Sequence, residues 1–351
     1  MESKKNITII DVARKAGVSK GTVDRVLHNR GEVSARSAER VHKAIAELGY
    51  EPNLYASLLA TKKNHLVACL LPKSVDGEYW DKLRIGFERG GENAAALGVE
   101  TRIFQYDQYD HESFSAACET LLEAGPSGVV LPPLFKNDTL QFTERLHAAG
   151  IPYVYVDSRL EDEHYLAYFG MPTYRSGYLS AYLLTERCDD VDEIAVIRIV
   201  RDKSRRSDPT LDRRSGFTDY VEEHFPECRV ENVFIDPSAP ESVTPTLEAF
   251  FAVHPSVRFV VMFNSRIHLA SPYLESHPVP GRRVVGFDDL EQNMEALKSG
   301  AVTVLIAQHT EMQSMNAVAT LVDSIVMRKA PTKRDNYMHM DILTALNQDN
   351  Y

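Results

Sequence analysis

Two groups of residues in this 351-residue chain have types and spacings suited to recognition chemistry. The first lies in Thr8 to Asn29, TIIDVARKAGVSKGTVDRVLHN. Within it Lys20, Thr22, Arg25 and Asn29 would share the outward face of one helix, and their donors suit phosphates and base edges. The second group is scattered through the chain at the carboxyl ends of apolar runs. It comprises Pro72-Lys73-Ser74, Gln105, Pro132-Pro133, Asp157-Ser158-Arg159, Arg198 to Arg206, Asn264-Ser265-Arg266, Asp288-Asp289 and Gln308. Together with Tyr79 and Trp80 as flat apolar surfaces, these donors and acceptors suit a polyol or a similar small polar ligand. Each of them alone reads as readily as a loop cap. Only convergence on one edge would make a site.

The elements that must position the first group are legible. Thr8 caps a helix, and Asp11 stands at capping-box spacing. Ile9, Val12, Ala13 and Ala16 form one apolar face. Gly17 follows where the chain needs a left-handed residue. Ser19 caps a second helix whose inward face is Val23, Val26 and Leu27. Two helices joined by a short Gly-containing turn match the helix-turn-helix signature, with a buried helical hairpin as the competing reading. Ser34 caps a third helix running to Leu48, with Val41, Ala44, Ile45 and Leu48 as its stripe. Beyond Pro52 and Asn53, the segment Leu54 to Ala60 is too apolar for a linker and too short to be a stable helix alone. It needs a partner, either a second copy of itself or a DNA groove.

The second group requires a different scaffold. From His65 the run HLVACLLP reads as a strand buried on both faces. Helices are expected over 80–97, 112–124, 139–149, 292–298 and 312–328. Between them lie strands at 100–104, GVVLPP, IPYVYVD, EIAVIRIV, RVENVFI, VRFVVMFN, RRVVGFDD and VTVLIAQ, with a single terminal strand over 337–343. Such alternation, in two successive runs, implies two doubly wound α/β subdomains with parallel sheets behind an all-α headpiece. Ligands of such sheets bind beyond the strands' carboxyl ends.

Charge separates the two regions. The chain carries a net charge of −11, yet residues 1–63 hold 12 Lys and Arg against 7 Asp and Glu. A basic nucleic-acid module on an acidic body explains that asymmetry. Cys69, Cys118, Cys188 and Cys228 form no CxxC pair, so neither zinc nor a disulfide framework is expected. The N-terminal apolar run is too short for a signal peptide, and no stretch is long enough to span a membrane. A cytoplasmic protein without cofactor or metal is the expectation.

The chain resembles the lac repressor family of bacterial transcription regulators over nearly its full length. The headpiece carries T-x-x-D-V-A-x-x-A-G-V-S-x-x-T-V-x-R-V-L-x-N at Thr8 to Asn29. The match continues through Val33-Ser34, Ile45 to Tyr50, Pro52-Asn53 and Ala56-x-x-Leu59. The resemblance implies a headpiece over 1–50, a hinge helix and linker over 51–63, and a body over 64–351 that binds an effector and dimerises. The body would have a periplasmic-binding-protein-like fold. Its N-subdomain would be about 64–166 plus 291–330, and its C-subdomain about 167–290 plus 331–351. The second helix would enter the major groove, and paired hinge helices would open the minor groove with Leu59 as an apolar wedge. DNA contacts are thereby implied for Thr8, Ser19, Lys20, Gly21, Thr22, Arg25, Asn29, Ser34, Tyr50, Asn53, Ala56 and Leu59. Effector contacts are expected from Lys73, Tyr79, Trp80, Asp157, Arg159, Arg213, Asn264, Asp288 and Gln308. The partners would be operator DNA, a second copy of the chain (a tetramer being left open) and a sugar, sugar acid or sugar phosphate.

Three departures from the family pattern matter. Lys20 and Gly21 occupy two base-reading positions, and Gly21 costs the helix about 1 kcal/mol relative to Ala. Asp24 replaces a usual Ser; it either pairs with a base such as Arg25 or accepts from cytosine N4. Asn264-Ser265 replaces an Asn-Asp pair, and an acid expected near Pro172 is missing. With Arg201, Lys203, Arg205, Arg206, Arg213 and Arg214 nearby, an acidic ligand competes with a solvated basic loop as the reason for that run. Two other function classes remain to be weighed. A solute-binding receptor accounts for the body but not for the headpiece. An enzyme lacks GxGxxG, P-loop, GxSxG and HExxH motifs.

Overall fold

The computed structural model describes residues 7–27, 31, 33–50, 64–161, 163–199 and 209–350. Asn29, Asn53, Ala56, Leu59 and the basic residues Arg201, Lys203, Arg205 and Arg206 lie outside them. The chain divides into two units, 1–63 and 64–351.

In the first unit, α1 (Ile9–Ala16), α2 (Lys20–Leu27) and α3 (Ala35–Leu48) enclose Val12, Ala13, Ala16, Val23, Val26, Val41 and Ala44. The Asp11 carboxylate accepts from Thr8 N at 3.0 Å and from Thr8 Oγ1 at 2.7 Å, which fixes the start of α1. Gly17 ends that helix at φ 62°, where a side chain would be strained. Arg40 of α3 donates to the Gly17 carbonyl at 3.2 Å, tying the turn to the third helix. Ser19 Oγ accepts from Thr22 N at 3.1 Å and so caps α2.

The second unit begins with β1 (His65–Pro72), α4 (Tyr79–Ala95), β2 (Val99–Tyr106), α5 (His111–Glu123) and β3 (Gly128–Leu131). It continues through α6 (Lys136–Ala148), β4 (Tyr153–Asp157), β5 (Ala167–Gly170), α7 (Thr173–Thr185) and β6 (Glu193–Ile199). Then come α8 (Pro209–His224), β7 (Arg229–Ile235), α9 (Val243–Val253), β8 (Phe259–Met262) and α10 (Ser271–Ser276). The chain closes with β9 (Arg283–Phe287), α11 (Glu291–Ser299), β10 (Val304–Ala307), α12 (Thr310–Ile325), β11 (Asp335–Tyr337) and β12 (Asp341–Leu343). One sheet has the order β11-β5-β4-β3-β1-β2 and the other β12-β10-β9-β8-β6-β7. Described pairs are parallel except β12 on β10. Leaving aside the edge strands β11 and β12, the two sheets repeat one topology, so β4 and β9 hold equivalent places. The inner strands β3, β4 and β8 are buried along their whole length, as their unbroken apolar runs require.

The sheets correct three sequence expectations. The single strand expected over 337–343 is two short strands: β11 pairs with β5 in one sheet and β12 with β10 in the other. The chain leaves the first sheet after Tyr337 and joins the second at Asp341, so Met338, His339 and Met340 between them form a crossover. The subdomain limits shift for the same reason. Strand β5 belongs with β4, while α11 packs Ala296 and Leu297 into the core that holds β10. The crossovers therefore fall after β5, β10 and β11, not at 166, 290 and 330. Finally, β2 continues to Tyr106, which pairs with Pro72, so its end lies two residues beyond the expected Phe104.

Candidate functional site

A cavity of about 250 Å³ opens between the carboxyl edges of the two sheets. From the first half, the β1–α4 loop supplies Asp76 and Glu78, the start of α4 Tyr79 and Trp80, and the segment after β2 Gln108 and Tyr109. Asp157 comes from the end of β4. From the second, α8 supplies Arg213, the β8 end Asn264, Ser265 and Arg266, the β9 end Asp288 and the β10 end Gln308. Tyr79, Trp80, Asp157, Arg213, Asn264, Asp288 and Gln308 are thus brought together.

Asp157 and Asp288 occupy equivalent strand ends, and both are left-handed, at φ 66° and 69°. Non-glycine residues held there cost about 1 kcal/mol or more, strain typical of places where a ligand is gripped. Tyr79 donates to Asp157 Oδ1 at 2.5 Å. Burial, then the Asp157 and Asp288 charges, push the Tyr79 hydroxyl well above its usual range, so it stays a donor. Gln308 Nε2 donates to Asp288 Oδ1 at 2.7 Å. Burial pushes Asp288 up to about 7; Arg213 and the Gln308 hydrogen bond pull it down, and Asp289 and Asp157 push it up again.

Arg213 is buried at 4% exposure and largely committed to the protein. Its Nη1 donates to the Phe263 carbonyl at 2.8 Å and its Nε to Ser176 Oγ at 3.3 Å. The guanidinium lies 4.5 Å from the Phe287 ring centre. Arg266 faces Glu78 at 3.7 Å, and Lys82 meets Asp289 Oδ1 at 2.8 Å, so both pairs join the two halves. Burial lowers the His268 pKa, and its Nδ1 donates to Asn293 Oδ1 at 2.9 Å. Asn293 in turn donates to the carbonyls of Ser265, Phe287 and Asp288, holding the β8 and β9 ends together.

Lys73 and Arg159 lie outside the cavity. Lys73 N still pairs with the Tyr106 carbonyl at 2.8 Å, prolonging the ladder, and its side chain is exposed. Gln105 is likewise an exposed residue within β2. The left-handed turn at Asp157, closed by Ser158 N on the Val156 carbonyl at 2.7 Å, sends Arg159 elsewhere. Arg159 reaches Asp335 at 3.4 Å and lines a separate cavity with Tyr168 and Tyr337. Asp76, Glu78, Gln108, Tyr109 and His268 were not anticipated. Glu78 directly precedes Tyr79, one of the two expected aromatic surfaces, and Gln108 required only the true end of β2.

In the headpiece, Lys20, Gly21 and Arg25 are exposed on α2, while Thr22 and Asp24 are half-buried. Thr8, Ser19 and Ser34 sit at helix starts, and Tyr50 packs half-buried against the core. A Cβ on Gly21 would meet nothing nearer than Ser19 Oγ at 3.8 Å, so the local packing does not require glycine there.

A family model for the periplasmic binding protein domain matches residues 67–328, and one for bacterial regulatory proteins of the lacI family matches 8–53. The chain is 32% identical over 161 residues to the HTH-type transcriptional regulator CelR of Thermobifida fusca, covering 44% of this chain and 45% of that protein. It is 33% identical over 131 residues to the ribose operon repressor of Lactococcus lactis subsp. lactis, covering 37% and 38%. The chain thus spans less than half the length of these curated relatives. A solved structure described as a LacI transcriptional regulator from Bacteroides fragilis is 34% identical at TM-score 0.78, covering 82% of this chain and all of that one. Headpiece, body and relatives agree, and the chain belongs to the lacI family of bacterial regulatory proteins, with a body of the periplasmic-binding-protein type.

Proposed function

We propose that the protein is a dimeric, operator-binding transcriptional repressor of the cytoplasm, controlled by a small uncharged polyol, a sugar, held in the body's cavity. The observation that carries the reading is the meeting of Asp157, Arg213, Asp288 and Gln308 from two sheets on one cavity beside Trp80. Paired acceptors and donors with an aromatic surface match hydroxyl groups on a compact ring. Relatives named as regulators and as a ribose operon repressor support the same reading. Catalysis and a cofactor have no part in it.

Charge selects among sugar classes. Asp76, Glu78, Asp157 and Asp288 line the cavity with Arg213 and Arg266, and among the described residues both guanidiniums are engaged by protein groups. A sugar acid or phosphate would add a negative charge to this set, so neutral sugars should bind more tightly.

Gel retardation on DNA upstream of the protein's own gene, at low salt, with and without sugars drawn from a thermal-shift screen, is the test. Retardation that a neutral sugar alters supports the reading. Binding of sugar without any retardation would favour a solute receptor with no role on DNA.

A further inference from the structure

Gln313 is fully buried, at 0% exposure, on the first turns of α12, and it does not line the cavity. Its Oε1 accepts from the main-chain N–H of Asp157 at 2.9 Å. Its Nε2 faces the Gln308 carbonyl at 3.3 Å and Gln308 Oε1 at 3.4 Å. Gln308 then donates to Asp288 at 2.7 Å. One hydrogen-bonded chain therefore runs from the end of β4, through two side-chain amides, to the end of β9.

We propose that Gln313 is the positioning residue of the cavity: it fixes which way the Gln308 amide faces and holds the turn at Asp157. An amide has a donor end and an acceptor end of nearly the same shape. Because Gln313 offers N–H groups to Gln308 Oε1, Gln308 must turn Nε2 toward Asp288. Asp288 then meets a donor, which favours its ionised form as an acceptor for ligand hydroxyls. Without Gln313, the Gln308 amide can reverse and present an oxygen to Asp288, which favours the protonated carboxyl. Packing alone does not demand an amide here. Met would fill a similar volume in the α12 stripe without a polar group to satisfy. The ligand role rests on the proposed function, whereas the orientation of Gln308 does not.

The groups facing Asp288 are Arg213 from α8, Asp157 from β4, Tyr79 from α4 and the adjacent Asp289, itself paired with Lys82. The test is a carboxyl-carbon NMR titration of the full-length chain with labelled Asp, using Asp288→Asn to assign the resonance. Gln313→Met should raise the Asp288 midpoint by about one pH unit. The same substitution in a Gln308→Met background should leave the midpoint unmoved, because the relay is already cut. Equal midpoints in wild type and Gln313→Met, or a full shift in the Gln308→Met background, would overturn the proposal. If Gln313→Met does not fold, Gln313→Leu carries the same comparison. Calorimetry with neutral sugars on the same proteins separates the two claims. A wild type that binds none removes the functional reading and leaves the titration result standing.

Discussion

Asp288 shows how one buried carboxyl ties ligand binding to pH. Burial holds its folded pKa near 7, above the value of an unfolded aspartate. The unfolded chain therefore releases its proton first, and the contribution to stability, complete below pH 4, is lost as pH rises toward 7. Relative to Asp288→Asn, wild type should lose up to about 1.4 kcal/mol per pH unit between pH 4 and 7, and little more above it. Urea unfolding of both proteins at three pH values measures this, and a constant difference would disprove it. If ligand hydroxyls donate to the ionised form, affinity should fall by up to about tenfold per unit below pH 7. Gly21 is the corresponding residue in the headpiece. Ala there should stabilise the headpiece by about 1 kcal/mol, since the space is open. Weaker operator binding by the more stable variant would mark close approach to DNA; unchanged binding would leave Gly21 without a role. Asp157, Asp288 and Gln308 were legible because each ends an apolar run. Arg159 falls outside the cavity because the left-handed Asp157 turns the chain away, and an aspartate at a strand end allows that conformation without announcing it. Gln313 is not legible in the sequence, because a glutamine near a helix start reads as surface although here it is buried.

Helix packing decides where Arg213 stands. A Cβ on Gly177 of α7 would lie 1.8 Å from the Arg213 carbonyl oxygen, and one on Gly216 of α8 would lie 2.0 Å from that of Tyr174. The two helices therefore touch backbone to backbone, and a methyl group on either side must drive them apart. Gly177→Ala should cost about 1–3 kcal/mol, by the overpacking rule, and lower ligand affinity as Arg213 loses Ser176 and the Phe263 carbonyl. Thermal unfolding and calorimetry read the two effects separately. Loss of stability with unchanged affinity would show that the helix pair does not position the guanidinium. The alternation of strand and helix was legible because fully buried strands announce themselves as unbroken apolar runs. The split of 337–343 between two sheets was not. Each piece is only three residues long, and which sheet takes each depends on edges that the local sequence does not describe.

At the scale of the whole molecule, regulation requires that the ligand bind one state of the body more tightly than another. Two ion pairs already join the two halves of the body, and the Lys82–Asp289 pair is the better sheltered, with side chains 20% and 18% exposed. Lys82 also donates to the Asp289 carbonyl at 3.1 Å, so one ammonium holds both the side chain and the main chain of the opposite half. A pair of this kind contributes on the order of 1 kcal/mol to the closed arrangement. Lys82→Met keeps the stem and removes the charge. Its ligand affinity should fall about fivefold if closure is what the ligand selects. Linkage then fixes the sign of a second effect without knowing whether the ligand releases or recruits DNA. By disfavouring the state that the ligand favours, Lys82→Met without ligand should move operator affinity in the direction opposite to the ligand's own effect. The acidic body leaves DNA attraction to the basic first 63 residues, so both proteins should show the same steep salt dependence. Operator titrations of wild type and Lys82→Met, each with and without ligand at two salt concentrations, test this directly. A shift in the same direction as the ligand's would mean that the pair opposes closure instead of supporting it.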